Sequence, residues 1–549
     1  MQRKLKIALI LLSLIHLYVS VSYSQMNSEA ASLKWGANYN EPLNTQISKI
    51  LAITPKGFYS LREKVLSNPN ARPKIYLEYF TRDMKLIKSN VLDLKYKGKQ
   101  RDFEDIIMLG GQLYLLTSYN NVAKKKNFLF KQPINMKTLT PSKNLKMILE
   151  TEARNKEREG TFDYHISRDS SKMLIYNQLP YKRKEPERFA LRVYDNDFEK
   201  IWSKNIKLPY PDNQLSIEEY RVDNEGNVFL LGVLFKDEAK YRRRGSPNYE
   251  YVILAYRQGG DDAEEYHVGL KDKFITDLTF RVADDGDLVC TGFYSERGTY
   301  SIKGTYFFRL NSKTKQIYNE NSKEFNFEFL SVYMSPKDKK RAKKAASKGN
   351  FKRQAELYQY ALDELILRSD GGAVLVAEQF YVYQQTDQDY FYPSYYGYSS
   401  FYSPFQTTTT YYNYNDIIIV NIKPNGEIEW ASRIPKQQST TDDGGIYSSY
   451  SMAIVRDKLF FVFNDNARNL GGAQRRRGSR TFNFSGNNSV IVVAEVRKDG
   501  SVETFPVNQN NRNIAAIAQP KVSKQIGRKE MAIYGENGRQ FMFGSLTFK

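Results

Sequence analysis

The sequence predicts an all-β protein built as a β-propeller, because two short strand patterns alternate along its 549 residues. In the first pattern, a short strand leads through a turn with Asp and often Gly into a more apolar strand, as in YRVDNEGNVFLLG at 220–232 and FRVADDGDLVCTG at 280–292. Asp-Gly pairs suit a tight hairpin because Gly adopts positive φ without steric cost. In the second pattern, an apolar strand and a polar turn precede a strand that often carries an aromatic residue, as in IIVNIKPNGEIEWASRI at 418–434.

The two patterns together make a four-stranded antiparallel unit that recurs about every 50 residues, as propeller blades do. Complete units are expected at 47–94, 102–150, 162–208, 217–270, 275–325, 361–434 and 450–507. An incomplete unit of about three strands follows at 513–548, and the strand-like segment Leu33–Gly36 is suited to complete it. We therefore expect eight four-stranded blades with a short helical insertion; seven blades are the alternative.

Residues 1–24 have the layout of a cleavable secretory signal. Arg3, Lys4 and Lys6 precede an apolar stretch over 7–21, and small residues stand just before Gln25. An uncleaved membrane anchor is the alternative, but the stretch is shorter than the roughly 20 apolar residues of a membrane span. We expect an exported protein whose mature chain, one propeller domain over 25–549, has no transmembrane span and is located in the periplasm or outside the cell, the periplasm being favoured.

The net charge of the chain indicates which kinds of partner it favours. Without the signal, which carries three positive and no negative side chains, the formal net charge falls from +21 to +18. A field of this sign favours anionic partners, such as an acidic glycan, lipopolysaccharide or an acidic envelope protein. Nothing in the sequence indicates specific nucleic-acid recognition.

Cys290 is the only cysteine and lies in an apolar run, so we interpret it as a buried small hydrophobe; a reactive thiol is the alternative.

Three insertions interrupt the repeat. The SPKD sequence at 335–338 is typical of a helix start and predicts a basic helix through Ala346, within an insertion over about 335–360. A Tyr-rich stretch at 384–414 and an Arg-rich stretch at 466–488 are predicted to be surface loops, since their composition does not suit a packed core.

Basic and aromatic residues concentrate in these insertions and in other connections. In a propeller, the loops between second and third strands emerge on the same face as the connections between blades. That face is expected to bind the ligand, because loops on a rigid scaffold carry function. Besides the helix at 337–344, the candidate ligand-binding residues are Lys124, Lys125, Lys126, Lys182, Arg183, Lys184, Arg242, Arg243, Arg244, Arg475, Arg476, Arg477, Tyr392, Tyr395, Tyr396 and Tyr398.

No motif identifies a reaction. His165 and His267 stand about a hundred residues apart, and the chain lacks a paired-cysteine, HExxH, nucleophile-elbow or phosphate-binding glycine motif. The Asp-rich segments at 195–197 and 284–287 lack the spacing of a calcium loop and are interpreted as hairpin turns. We therefore expect no cofactor, no metal and no catalytic residue.

Four segments, at 370–380, 416–437, 447–450 and 461–466, resemble an uncharacterised family of secreted, β-propeller-like proteins of Bacteroidetes. The resemblance covers about a fifth of the chain and implies an exported protein of a Gram-negative cell, but it supplies no activity and no site residues.

We expect a non-catalytic binding or scaffold protein of the cell envelope, with a basic and aromatic ligand face. The alternative is a propeller-type glycan hydrolase or lyase with carboxylates near the central channel, since such acids come from separate blades and leave no local motif. A subunit of an envelope assembly differs from the binding protein only in having a protein partner.

Overall fold

The computed structural model describes residues 30–64, 74–153, 162–236, 242–243, 246–260, 263–270, 273–296, 298, 301–332, 334–350, 354–389, 405–469, 481, 489–509 and 516–549. The chain divides into two compact units. The minor unit contains the described residues of 30–42, 81–85 and 446–549, and the major unit contains those of 43–80 and 86–445.

The protein is an eight-bladed β-propeller, as the repeat predicts. Blades 1 to 6 are antiparallel sheets of four main strands, in the order in which they occur along the chain. Blade 1 consists of Thr45–Thr54, Gly57–Lys64, Ile75–Thr81 and Leu86–Val91. Blade 2 consists of Asp102–Leu109, Gln112–Asn121, Lys126–Asn135 and Lys146–Glu152. Blade 3 consists of Phe162–Ile166, Lys172–Leu179, Pro186–Asp195 and Lys200–Pro211.

Blades 4 to 6 continue the pattern. Blade 4 consists of Leu215–Val222, Val228–Phe235, Tyr249–Tyr256 and Glu264–Val268. Blade 5 consists of Phe274–Val282, Leu288–Ser295, Gly304–Leu310 and Ile317–Glu324. Blade 6 consists of Tyr360–Leu367, Ala373–Asp389, Phe405–Ile422 and Ile428–Thr441.

The minor unit forms the last two sheets. Blade 7 consists of Ser451–Val455, Lys458–Asn466, Ser489–Val496 and Val502–Pro506. In blade 8, Lys524–Gly527, Glu530–Asn537 and Gln540–Phe548 are joined by Ala31–Trp35, which pairs antiparallel with the last of them. The predicted completion of this blade by the segment near residue 33 is therefore confirmed.

Short strands, 3-10 turns and helices form parts of the connections between the main strands. The two-residue strands are Tyr39–Asn40, Lys95–Tyr96, Lys99–Gln100, Thr140–Pro141, Arg242–Arg243, Ser246–Pro247, Ser301–Ile302, Leu357–Tyr358, Asn508–Gln509 and Ile517–Ala518. Single 3-10 turns form at Val122–Lys124 and Ala467–Asn469. Two α-helices, α1 (Phe327–Leu330) and α2 (Pro336–Ser347), lie between blades 5 and 6 in sequence. No helix in the described part of the chain is long and apolar enough to cross a membrane.

The second and third strands of the blades are apolar on both faces because each sheet packs against neighbours. Every residue of Val228–Phe235 and of Leu288–Ser295 is buried, whereas the fourth strand Ile317–Glu324 is largely exposed. Blades 4 and 5 share one apolar cluster, in which Leu231 packs with Cys290 and other side chains. Cys290 is fully buried, which confirms its interpretation as a small hydrophobe, and this burial raises the pKa of its thiol.

The predicted loop at 384–414 is wrong at both ends. The second and third strands of blade 6 extend to Asp389 and begin at Phe405, so 384–389 and 405–414 form a paired hairpin stem. Tyr414 is buried and packs on Phe380, with ring centroids 4.6 Å apart. The physical reason is that Tyr and Thr favour strands when their side chains pair across a hairpin, whatever the overall composition.

Candidate functional site

A cleft of about 990 Å³ opens beside α2 in the major unit. This is the size of a small-molecule binding site. Three segments form its walls: the connection from α1 through α2, the return strand Leu357–Tyr358, and the second strand of blade 6. The α2 cleft is lined by Leu330, Met334, Asp338, Arg341, Ala342, Lys344, Ala345, Lys348, Asn350, Gln354, Ala355, Glu356, Leu357, Tyr358 and Gln379.

Local sequence determines where α2 begins and ends. The Ser335 hydroxyl accepts the N–H of Asp338 at 3.2 Å and donates to the Asp338 carboxylate at 2.6 Å, so both ends of the capping motif are engaged. Pro336 occupies the first helical turn, where a missing N–H costs nothing. The helix ends at Ser347, and Gly349 follows with a φ of +63°. The predicted basic helix is therefore confirmed.

Packing holds this insertion on blades 5 and 6. The guanidinium of Arg433 in blade 6 donates to the carbonyl of Phe329 at 2.6 Å, lies 4.6 Å from the centre of its ring, and bonds to Asp416 at 3.1 Å. The return strand pairs with Ser301–Ile302 of blade 5. The two sides of the α2 cleft are thus fixed to separate blades.

The floor of the α2 cleft is apolar. Ala342 and Ala345, three residues apart on one side of α2, are buried together with Leu330 and Leu357 in the cluster shared by blades 5 and 6. Met334 is half-buried against the same cluster. Two alanines at these positions leave space that larger side chains would fill.

Three polar side chains in the walls, those of Gln379, Gln354 and Glu356, are engaged within the protein. Gln379 donates to the carbonyl of Tyr358 at 2.9 Å and accepts from Asn415 at 3.2 Å. Gln354 accepts the ammonium of Lys303 at 2.7 Å. Glu356 is buried and accepts the hydroxyl of Ser295 at 3.2 Å. These groups shape the walls rather than offer free hydrogen bonds.

Positively charged side chains lie at the rim of the α2 cleft. Lys344 and Lys348 are exposed, and neither has an ion-pair partner among the residues that the structure describes. Arg341 lies 3.7 Å from Asp338, an exposed contact worth at most about 1 kcal/mol. The α2 cleft therefore combines an apolar floor with positive charge at its mouth that no described residue neutralises through an ion pair.

Of the basic helix predicted from sequence, Arg341 and Lys344 line the cleft, whereas Lys337 and Lys340 are not among its lining residues. Sequence reasoning missed Lys348, Tyr358, Leu330 and Gln379, which come from other segments. The available signal was the spacing of Ala342 and Ala345 in an otherwise charged helix.

The other described candidates lie on connections between second and third strands. Lys124 and Lys125 are exposed in the turn of blade 2, while Lys126 forms an ion pair with Glu150. Residues 182–184 are exposed in the turn of blade 3. Arg242 and Arg243 form a short strand in the connection of blade 4. Candidates outside the described residues are Arg244, Arg475, Arg476, Arg477, Tyr392, Tyr395, Tyr396 and Tyr398.

No hydrogen bond or ion pair joins these clusters to one another or to α2 in the described part of the chain, so each remains on its own blade. The Asp-rich segments form turns: the carboxylate of Asp195 accepts the N–H groups of Asp197 and Glu199, and that of Asp285 accepts the N–H of Asp287.

A second polar cluster, which sequence reasoning missed, links the first strands of the blades in the major unit. We call it the first-strand network. Asp105 of blade 2 bonds to Lys49 of blade 1 at 2.6 Å and accepts the hydroxyl of Tyr164 of blade 3 at 2.5 Å. Arg281 of blade 5 lies 3.5 Å from Glu219 of blade 4 and 3.8 Å from Glu364 of blade 6.

His165 lies in the same network between two donors. Its Nδ1 faces the N–H of Val222 at 3.2 Å, and its Nε2 faces the guanidinium of Arg221 at 3.1 Å. A protonated ring would present N–H groups to both donors. Burial and then the charges of Arg221 and Arg281 lower the pKa of His165 to about 4, so the ring is neutral at pH 7.

Comparisons with known proteins add little to this geometry. No family model and no curated protein matches the chain. The structure is similar to the WD40 domain of SCAP from fission yeast, with 10% identity, a TM-score of 0.37, and coverage of 93% of this chain and 94% of that one. It is also similar to the β-propeller domain of the Trilobed protease from Pyrococcus furiosus, with 10% identity, a TM-score of 0.33, and coverage of 85% and 96%.

A third similar structure is a protein of unknown function from Bacteroides caccae, with 11% identity, a TM-score of 0.27, and coverage of 69% of this chain and 94% of that one. At these identities and scores the neighbours say nothing about activity. The fold class rests on the sheet topology given above.

Proposed function

We propose that this protein is a non-catalytic binding module of a bacterial cell envelope and that its α2 cleft binds an anionic ligand. The observation that carries the proposal is the pairing of an apolar floor with two rim cations, Lys344 and Lys348, that have no ion-pair partner among the described residues. Concave, mostly apolar sites with a few convergent charged groups are the usual form of a ligand site.

The basic connections support the same proposal. The exposed clusters at 124–125 and 182–184, the strand at 242–243 and α2 all occur in connections that a propeller directs to one face. Single exposed pairs are worth about 0–1 kcal/mol, so only their combined field would attract an anion usefully. We propose that the triple Arg at 475–477 and the tyrosines at 392–398 extend this face.

Export is part of the proposal. Residues 1–24 carry the signal layout, and the resemblance to secreted Bacteroidetes proteins agrees with a periplasmic location. The partners that fit are an acidic glycan, another anionic envelope component or an acidic envelope protein. Amino-terminal sequencing of the protein from a periplasmic fraction is expected to begin at Gln25; full-length protein in the cytoplasm would contradict export.

Three acids on the first strands of the blades, Asp105, Glu219 and Asp277, do not favour the glycan hydrolase. A glycosidase needs two carboxylates, one of them a proton donor with a raised pKa. Asp105 and Glu219 are ion-paired within the first-strand network. Burial raises the pKa of Asp277 to about 6, but this carboxylate accepts the N–H of Leu362 at 3.2 Å and thereby links blade 5 to blade 6.

The proposal is tested by binding measurements on residues 25–549 with decanoate, polyglutamate, an acidic oligosaccharide and lipopolysaccharide. At least one probe is expected to bind, and more weakly at 200 mM than at 50 mM salt. The variant K344E/K348E should lose about tenfold in affinity, about 1.4 kcal/mol.

The matched control is K337E/K340E, which makes the same charge change on the same helix at residues that do not line the cleft. It is expected to lose less than about threefold, because only the general field changes. Absence of binding to all four probes, or equal losses in the two variants, would contradict the proposed function.

A further inference from the structure

We infer that the α2 cleft takes a monomeric single-chain amphiphile, with its alkyl chain on the apolar floor and its carboxylate or phosphate head at Lys344 and Lys348. This inference rests on the proposed binding function and names the ligand class of the same site.

The floor is suited to an alkyl chain. Leu330, Ala342, Ala345 and Leu357 are all less than a tenth exposed and belong to the core cluster of blades 5 and 6, and the half-buried Met334 packs against the same cluster. An alkyl chain laid against this surface removes mainly its own apolar surface from water, and that burial is the main source of affinity for apolar groups.

The walls disfavour a peptide backbone. A peptide brings an N–H and a carbonyl at each residue, and each needs a partner when buried. The amide N–H and the amide oxygen of Gln379 both form hydrogen bonds within the protein. Gln354 accepts a hydrogen bond from Lys303, and Glu356 accepts one from Ser295. A ligand whose buried part has no polar atoms fits these walls better.

The rim supplies the charge complementarity. Lys344 and Lys348, one helical turn apart at the end of α2, have no ion-pair partner among the residues described. The two lining acids are engaged elsewhere: Asp338 in the cap with Ser335, and Glu356 with Ser295. An anionic head is therefore favoured at the mouth, above an apolar body.

Isothermal titration of residues 25–549 with the linear carboxylates of 6, 8, 10 and 12 carbons, each below its micelle concentration, tests the inference. Affinity is expected to rise about two- to fourfold per added methylene, since a fully buried methylene contributes at the upper end of this range. Decanol, which has no charge, should bind at least tenfold more weakly than decanoate.

Variants separate the chain from the head. A345W fills the floor and is expected to abolish the rise with chain length, and K344E/K348E should weaken all four carboxylates by a similar factor, with K337E/K340E as the control. If A345W fails to fold, M334E places a charge on the half-buried edge of the floor and serves the same purpose.

Four outcomes would overturn the inference. Affinity that does not change with chain length would leave an anion site and refute only the alkyl ligand, whereas absence of any anion binding would refute the proposed function. Equal affinity for decanol and decanoate would refute the role of the rim. Binding to phosphatidylglycerol vesicles that A345W leaves unchanged would mean that a membrane headgroup is bound instead.

Discussion

Leu33 pairs with Leu546 in an antiparallel ladder, so the outer strand of blade 8 comes from residues far from the rest of that blade in sequence. Ala31, Leu33 and Trp35 point into the core of the minor unit, while Ser32 and Lys34 are exposed. Because buried and exposed residues alternate along this strand, substitutions at neighbouring positions can test whether it completes blade 8.

Removal of this strand should markedly destabilise the protein. Deletion of 25–40 leaves the strand Gln540–Phe548 with an unpaired edge and exposes its apolar face. Leu33→Ala alone is expected to lower the free energy of unfolding by about 2–5 kcal/mol, because it leaves a cavity in the core. Lys34→Ala should change it by less than about 0.5 kcal/mol. Urea denaturation measures the free energy of unfolding of the three variants. Unchanged stability after the deletion would mean that Ala31–Trp35 does not complete blade 8.

A buried ion pair in blade 1 predicts a second stability effect. Arg62 and Glu78 are almost fully buried, with Arg62 Nε 3.3 Å from Glu78 Oε1, and Ser89 donates to the same carboxylate at 3.1 Å. Glu78→Gln removes the negative charge that faces this buried guanidinium and should cost about 3–5 kcal/mol.

The double variant R62L/E78L is the control for this pair, since it removes both charges together. It is expected to recover most of the stability lost in Glu78→Gln. A double variant less stable than the single variant would show that hydrogen bonding, rather than charge balance, dominates at this position.

His165 predicts how stability depends on pH. Its pKa in the folded protein is lowered to about 4 by burial, Arg221 and Arg281, whereas the unfolded chain has the usual value near 6.5. Between these values the unfolded state binds the proton and the folded state does not. Stability should therefore be lost as the pH falls from about 6.5 to 4, by up to about 1.4 kcal/mol per pH unit.

The measurement is the denaturation midpoint at a series of pH values. His165→Gln removes the titrating ring and should flatten the slope in this window. His267→Gln, which replaces a histidine at an exposed position beside Glu250 and Glu265, is the matched control. A slope that survives His165→Gln would assign the pH dependence to other groups.

The hairpin of blade 6 predicts a boundary between dispensable and required residues. Gln384 pairs with Thr410, and the stacked rings of Tyr383 and Tyr411, 4.7 Å apart, close the stem just inside this pair. Replacing 385–409 by Asn-Gly should preserve stability to within about 1 kcal/mol, because that turn suits a two-residue hairpin.

Deleting the whole of 384–414 should instead cost at least about 3 kcal/mol, since it removes the buried Tyr414. Thermal unfolding of the two variants compares them directly. Equal stability would mean that the stem does not pack as described.

The sequence by itself determined the features that depend on neighbouring residues. Apolar runs such as Ile417–Val420 repeat with Asp-containing turns, so blade number and blade bounds followed from local pattern. The start of α2 followed from Ser335, Pro336 and Asp338, because a capping motif acts within one turn. The closing strand near Leu33 followed from an incomplete last repeat.

Only the tertiary structure decided the features that depend on distant residues. The α2 cleft joins Leu330, Lys348 and Gln379, and the first-strand network joins side chains from six blades; spacing along the chain encodes neither. The stem at 384–389 and 405–414 was missed for the same reason. Its Tyr and Thr residues gain stability from cross-strand partners, and a composition rich in turn residues hides that pairing until the register is known.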